Sequence, residues 1–429
     1  MKKALINAVI LDGTRDMKPQ SGLVVLIEDD RIEDIVSAEQ ADLKDYEVTD
    51  LQKAYLLPGL INLHAHLALS GKPPKSDKKV DYRGLFKLLS SSKLIQTYFR
   101  NNGADYARSE LMSGVTTVRA VGGILDLDGR NRDSINAEKQ LGSRLLCANT
   151  AISVPDGHFA GSIATEAATP QQALEHLEQI VATKPDLIKL MITGGVMDAS
   201  EEGEPGVLRM PPEIVRAVCD RAHELGYKVA AHVESPLGVR VALENGVDTI
   251  EHGAKPDDQI IRLFRERKAA DICTLSPAIP YAEFELAESR APEVARRNGR
   301  IVLDGIIDCA KACLENDIPV GLGNDTGCNF VTHYNFWREL YYFHKYVGVS
   351  NSFALHTATL RNAQIAGIDD ITGSIEKGKS ADMIAVRENP LDDLRALRHV
   401  DKVIFRGHII NKPSFKPIKG VDELLDKYM

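Results

Sequence analysis

The stretch LLPGLINLHAHL, residues 56–67, is an apolar run that ends in two histidines, His64 and His66. Its length, its proline and glycine at the start and its lack of polar alternation predict a strand buried on both faces. Seven further runs of this kind follow: 114–122, 144–152, 186–195, 227–233, 248–253, 271–277 and 319–325. Between them lie stretches with helical spacing. PQQALEHLEQIVATK and PPEIVRAVCDRAHELG both open on proline, and the second closes on glycine. Eight strand-helix units over roughly 300 residues predict an α/β fold, a (β/α)8 TIM-like barrel. A doubly wound sheet competes, but no GxGxxG opens a helix after any of these strands.

The two ends of the chain differ from this middle. ALINAVI, GLVVLIEDDRIEDIV with a corner at Asp29-Asp30, and YEVTDL read as short strands with turns; GSIEKGKSADMIAV and VDKVIFRGHII repeat that texture near the other end. The expected organisation is a small β-sandwich domain built from residues 1–57 and 366–429, around a barrel at 58–365. Asn7, Asp12 and Gly13 interrupt the apolar N-terminal run, which reads as strand and turn and not as a signal peptide.

Of 429 residues, Lys+Arg number 52 against 61 Asp+Glu, a net charge of -9 that excludes the basic excess expected of a nucleic-acid binder. No run approaches the ~18 apolar residues of a membrane span. The six cysteines are scattered without a CxxC, which suggests reduced thiols and a cytoplasmic location.

The chemistry-bearing side chains gather at strand ends. His64 and His66 are two apart and so share a face of the first strand. Lys189 falls in the fourth strand, His232 in the fifth, His252 at the end of the sixth and Asp325 at the end of the eighth. Barrel interiors are normally filled with branched apolar residues, so six polar side chains at one rim require a reason. Two metal ions supply one. A strand lysine paired with an acid is the plainer reading of Lys189. The remaining histidines apart from His158 fall in helix-like or terminal stretches and read as structural.

With PGLINLHAH, EHG at 251–253, the Asp325-Thr326 pair and GSIEKGKSADMIAV, the chain resembles the amidohydrolase superfamily nearly end to end. DLIKLMITGGVM around Lys189 is similar to the branch of prolidase-like dipeptidases and carboxypeptidases, some acting on Xaa-Pro, Xaa-Arg or Xaa-Lys. That resemblance implies a carboxylated Lys189 bridging two divalent ions, usually zinc. One ion would take His64, His66, the carbamate and Asp325; the other would take the carbamate, His232 and His252. Burial lowers a lysine pKa and frees the neutral amine to take up CO2. Manganese or iron could occupy the same donors. A hydroxide shared by the metals would be the nucleophile, with Asp325 as general base and then acid toward the leaving amine. The implied substrate is a small molecule, a dipeptide or N-acyl amino acid. Relatives are often multimeric, so a homo-oligomer is expected.

Three substrate contacts are open. His158, in Asp156-Gly157-His158-Phe159, sits where the branch commonly shows a GGHG-like segment; it would meet the substrate carbonyl or carboxylate, or cap its own turn. Glu234, two residues after His232, would hold a substrate cation or form a rim salt bridge. Arg119, in the second strand, could pair with a carboxylate. Within the superfamily, an imidazolonepropionase-like cyclic-amide hydrolase or a heterocycle deaminase is the alternative. Those branches mostly use one metal without a bridging lysine. A non-catalytic scaffold is the remaining alternative.

Overall fold

The computed structural model describes residues 1–74, 84 and 92–429. The barrel strands are β1 Leu60–Ala65, β2 Val115–Ala120, β3 Arg144–Cys147, β4 Ile188–Met191, β5 Val229–Val233, β6 Thr249–His252, β7 Ala270–Cys273 and β8 Val320–Leu322. Strands β4 to β8 pair in sequence, all parallel. They belong to a seven-stranded sheet that continues beyond β4 through Ala151–Ser153 to Ala164–Glu166. Strands β1, β2 and β3 form a second sheet, and a parallel bridge joins Ala65 to Thr326, just beyond β8. This is a TIM-like barrel. Every residue of β1, β2 and β4 to β8 is buried, as parallel strands covered on both faces require.

The third expected run, 144–152, is two strands. Asn149 between them takes a left-handed φ of 58°, which ends the extended backbone. Its side chain holds the break: Oδ1 accepts from the Gly129 N–H at 3.0 Å and Nδ2 donates to Thr183 Oγ1 at 2.8 Å. The helices at Pro170–Val181 and Pro212–Glu224 match the spacing read from sequence. Thr169 caps the first, and the second buries Ile214, Val215, Val218 and Ala222 on one stripe. The charged stretch 278–299 holds short helices at Ile279–Ala282 and Leu286–Ser289 and the start of a long one, Glu293–Glu315.

Two compact units partition the chain. One comprises residues 1–62, 108–118 and 334–417, the other 63–107, 119–333 and 418–429. The first contains a four-stranded sheet ordered Arg31–Ser37, Leu23–Glu28, Lys2–Ile6, Glu47–Asp50. It also contains a five-stranded sheet ordered His408–Asn411, Val400–Phe405, Met383–Val386, Tyr55–Pro58, Val9–Ile10. Leu5, Val25 and Ile27 from one sheet and Leu56, Met383 and Ile404 from the other share one core, so the sheets face each other. Asp29, at φ 54°, turns the chain between Leu23–Glu28 and Arg31–Ser37. Among the described residues no helix is long and apolar enough to cross a membrane.

Candidate metal centre

All six ligand-type residues read from sequence lie in the second unit, within or just beyond β1, β4, β5, β6 and β8. His64, His66 and Asp325 offer ligand atoms within 4.8 Å of one another, and so do His232, His252 and Glu234. The Nε2 atoms of His64 and His66 stand 3.4 and 3.3 Å from Asp325 Oδ1. The histidine rings of the two groups meet, with centroids 4.8 Å apart for His64 and His252 and 4.7 Å for His232 and His252. Asp325 reaches this place with φ 56° and His252 with φ 74°. Such backbone is uncommon for residues with a Cβ and clusters at functional sites.

The far side of the His64, His66 and His252 rings is engaged, which frees the near side, whereas His232 Nε2 lies 3.4 Å from the Gly194 carbonyl. His64 Nδ1 donates to Glu251 Oε2 at 2.7 Å, and His66 Nδ1 donates to the Gly122 carbonyl at 2.9 Å. His252 Nδ1 lies 2.6 Å from Thr274 Oγ1. Each contact orients an imidazole and leaves Nε2 with its lone pair, the arrangement that metal-binding histidines use. Burial, above all, holds His64 and His232 well below the ordinary histidine range and pushes His252 down to about 4. These rings are therefore neutral at pH 7, as a cation's ligands must be. At Asp325 burial acts upward, but His64 and His66 outweigh it and keep the carboxyl well below the usual range.

Lys189 is 1% exposed, and its Nζ has no hydrogen-bond partner among the described residues. Burial pushes the amine down to about 8 against the opposing charges of Glu251 and Asp325. An enclosed amine with nothing to donate to is costly, so the plain ion-pair reading of Lys189 has no paired acid here to support it. The donor set therefore fits metal ions: neutral imidazoles, an ionised carboxylate and an unsatisfied buried amine converge on one rim.

Glu251 was not singled out in the sequence, although it stands next to His252. It accepts from Arg119 Nη2 at 2.7 and 2.9 Å and from Thr249 Oγ1 at 2.6 Å. Arg119 Nε donates to the Leu63 carbonyl at 2.6 Å. The guanidinium read as a substrate contact is thus 5% exposed and already occupied by the carboxylate that orients His64. Its carboxylate partner comes from the protein.

His158 stacks on His232 with ring centroids 4.1 Å apart and planes 10° from parallel. Its Nδ1 pairs with Asp198 of the 196–210 loop, so the two long connections meet over the fifth strand. A Cβ at Gly195 would lie 2.8 Å from the His158 ring. Glu234 is half-buried, and its Oε2 is enclosed without a hydrogen-bond partner among the described residues. Burial first, then Asp198 and Asp325, push its carboxyl up to about 8.

Residues 55–410 match the model of the amidohydrolase family. A solved Bifidobacterium longum protein provisionally named a prolidase is 35% identical, with 99% of this chain and 98% of that one covered at a TM-score of 0.87. A Xaa-Pro dipeptidase solved with methionine in its active site is 28% identical at a TM-score of 0.83, over 96% of this chain and all of that one. Aspergillus niger ochratoxinase is 25% identical over 237 residues, 54% of this chain. That match spans 47% of the curated relative's length.

Proposed function

Because the chain belongs to the amidohydrolase family and is a hydrolase, we propose that it is a prolidase-like dipeptidase or carboxypeptidase. It would cleave the amide bond of a dipeptide or N-acyl amino acid with two divalent ions, zinc first among them. The observation that carries this reading is Lys189. Its amine is enclosed, unpartnered and electrostatically coupled to His64, His232 and His252, the donors of both groups. Once neutral, the amine forms an N–C bond to CO2 and releases a proton, which yields an anionic carbamate with two oxygens. The ligand set read from sequence is retained: His64, His66, Lys189 and Asp325 toward one ion, Lys189, His232 and His252 toward the other.

When bound, the ions supply Lewis acidity to water and to a carbonyl. The chain's own groups do the rest. Asp325, ionised at pH 7, accepts the proton of the attacking water and returns it to the leaving nitrogen. Glu251, clamped by Arg119 and Thr249, fixes the orientation of His64. His158 meets the substrate carbonyl or carboxylate, and Asp198 orients its ring. Glu234 faces a substrate ammonium or guanidinium, whose charge would favour the ionised carboxyl. The proposal extends to a cytoplasmic homo-oligomer without nucleic-acid or membrane partners, in keeping with a net charge of -9 and six cysteines outside any disulfide.

The test is a panel of dipeptides, N-acyl amino acids, lactones and imidazolones on zinc-reconstituted protein. Turnover of Xaa-Pro, Xaa-Arg or Xaa-Lys substrates or of N-acyl amino acids is expected. Turnover confined to imidazolones, or ammonia released from a heterocycle, would reject the peptidase reading and keep the family.

A further inference from the structure

Two of the six cysteines, Cys309 and Cys313, meet Asp271 on the outer side of the barrel wall. Cys309 and Cys313 are one turn apart on the helix Glu293–Glu315 and so share a face. Asp271 and Cys273 are two apart on β7 and share the face turned to that helix. The ligand atoms of Asp271, Cys309 and Cys313 all lie within 4.8 Å of one another, and all three residues are 0% exposed. Cys309 Sγ is 3.4 Å from Asp271 Oδ1. Sulfur and oxygen donors on one tetrahedral zinc stand about 3.5 Å apart, given bonds of about 2.3 and 2.0–2.2 Å. Asp271 Oδ2 is enclosed with no hydrogen-bond partner among the described residues. Glycine is required at 253, since a Cβ there would lie 2.8 Å from both Asp271 Oδ1 and Cys309 Sγ.

We propose that Asp271, Cys309 and Cys313 form a structural site for a thiophilic divalent cation of zinc's class. The ion would tie the helix Glu293–Glu315 to β7. The protons of the two thiols and of the buried carboxyl leave to solvent as it binds, and two thiolates and one carboxylate then balance it to a single net negative charge. Burial raises the Asp271 carboxyl, and the hydrogen bond between the Cys309 and Cys313 side chains raises the Cys309 thiol. Three anions could share this space only with a cation among them.

Cobalt(II) is the probe, because a thiolate on cobalt gives a sulfur-to-metal charge-transfer band in the near ultraviolet. The histidines, lysine and carboxylate of the catalytic rim give none. Full-length protein loaded with cobalt should show the band and hold one more metal equivalent per chain than Cys309→Ala/Cys313→Ala. Cys328 adjoins the catalytic Asp325, so Cys328→Ser should keep the band in full. A folded wild type without the band overturns the site, as does a band lost in Cys328→Ser. Equal metal content in the wild type and a folded double variant does the same. If the double variant does not fold, the spectra of the wild type and Cys328→Ser decide alone.

Discussion

Adjacent residues on a strand normally point to opposite faces, yet Glu251 and His252 both serve the same rim. The left-handed φ of 74° at His252 breaks the alternation and turns its ring toward His64. Glu251→Gln is expected to weaken metal binding or turnover about 10–100-fold, because the carboxylate that orients His64 is gone. Metal titration and kcat/KM on one preparation check this, and an unchanged pair of values would remove Glu251 from the site. Asp325→Asn should lose about 10²–10⁴-fold in kcat while keeping much of its metal, since an amide does not accept the proton. Lys189→Ala should lose at least one metal equivalent and regain part of its activity with short carboxylic acids. Survival of both metal and turnover in that variant would end the bridging role. His333 allows a test away from the chemistry. Its ring stacks on Tyr106 at 4.1 Å, its Nε2 donates to the Leu69 carbonyl, and burial pushes it down to about 4. A histidine depressed on folding binds its proton more readily when unfolded. Its contribution to stability is therefore complete above about 6.5 and is lost as pH falls toward 4, about 3 kcal/mol in all. Urea unfolding of the wild type and His333→Gln at pH 7 and pH 5 should show the smaller pH dependence in the variant. Parallel pH dependence would assign the effect elsewhere.

Strands at the catalytic rim approach one another closely, and glycine makes that possible. A Cβ at Gly323, just past β8, would lie 2.4 Å from His64 Cβ and 2.6 Å from His64 N. Gly323→Ala should force β1 and the segment after β8 apart, costing about 1–3 kcal/mol and lowering metal content. Gly226, after the helix Pro212–Glu224, has open space around it despite φ 84°, so alanine there meets backbone strain alone. Thermal midpoints and bound metal for the two variants should differ in that order, and equal effects would show that crowding at His64 is not limiting. The split third strand belongs to this scale too. The run 144–152 is apolar enough to read as one strand, and only the side-chain bonds of Asn149 to Gly129 and Thr183 reveal why it breaks.

For the whole molecule, ions bound only by the folded chain stabilise it by mass action, about 2.7 kcal/mol at a free concentration 100 times the dissociation constant. A chelator should therefore lower the unfolding midpoint and zinc should restore it; a midpoint indifferent to both would argue against tightly held metal. The barrel was legible one residue after another, because buried parallel strands must be apolar along their whole length and each must be followed by an amphipathic cover. The HxH pair, Lys189, His232, His252 and Asp325 were legible as well, since ionisable groups at the ends of otherwise apolar runs are conspicuous. Arg119 was recognisable as inward, but its partner was not: Glu251 lies 132 positions further along, and no local pattern links them. Separations of 38 and 40 positions likewise hid Asp271 from Cys309 and His158 from Asp198. One-dimensional order reports periodicity and local chemistry, which sufficed for the architecture and the candidate ligands. Which charges neutralise one another was settled only by folding, because electrostatic pairing depends on distances through space and on the burial that strengthens them.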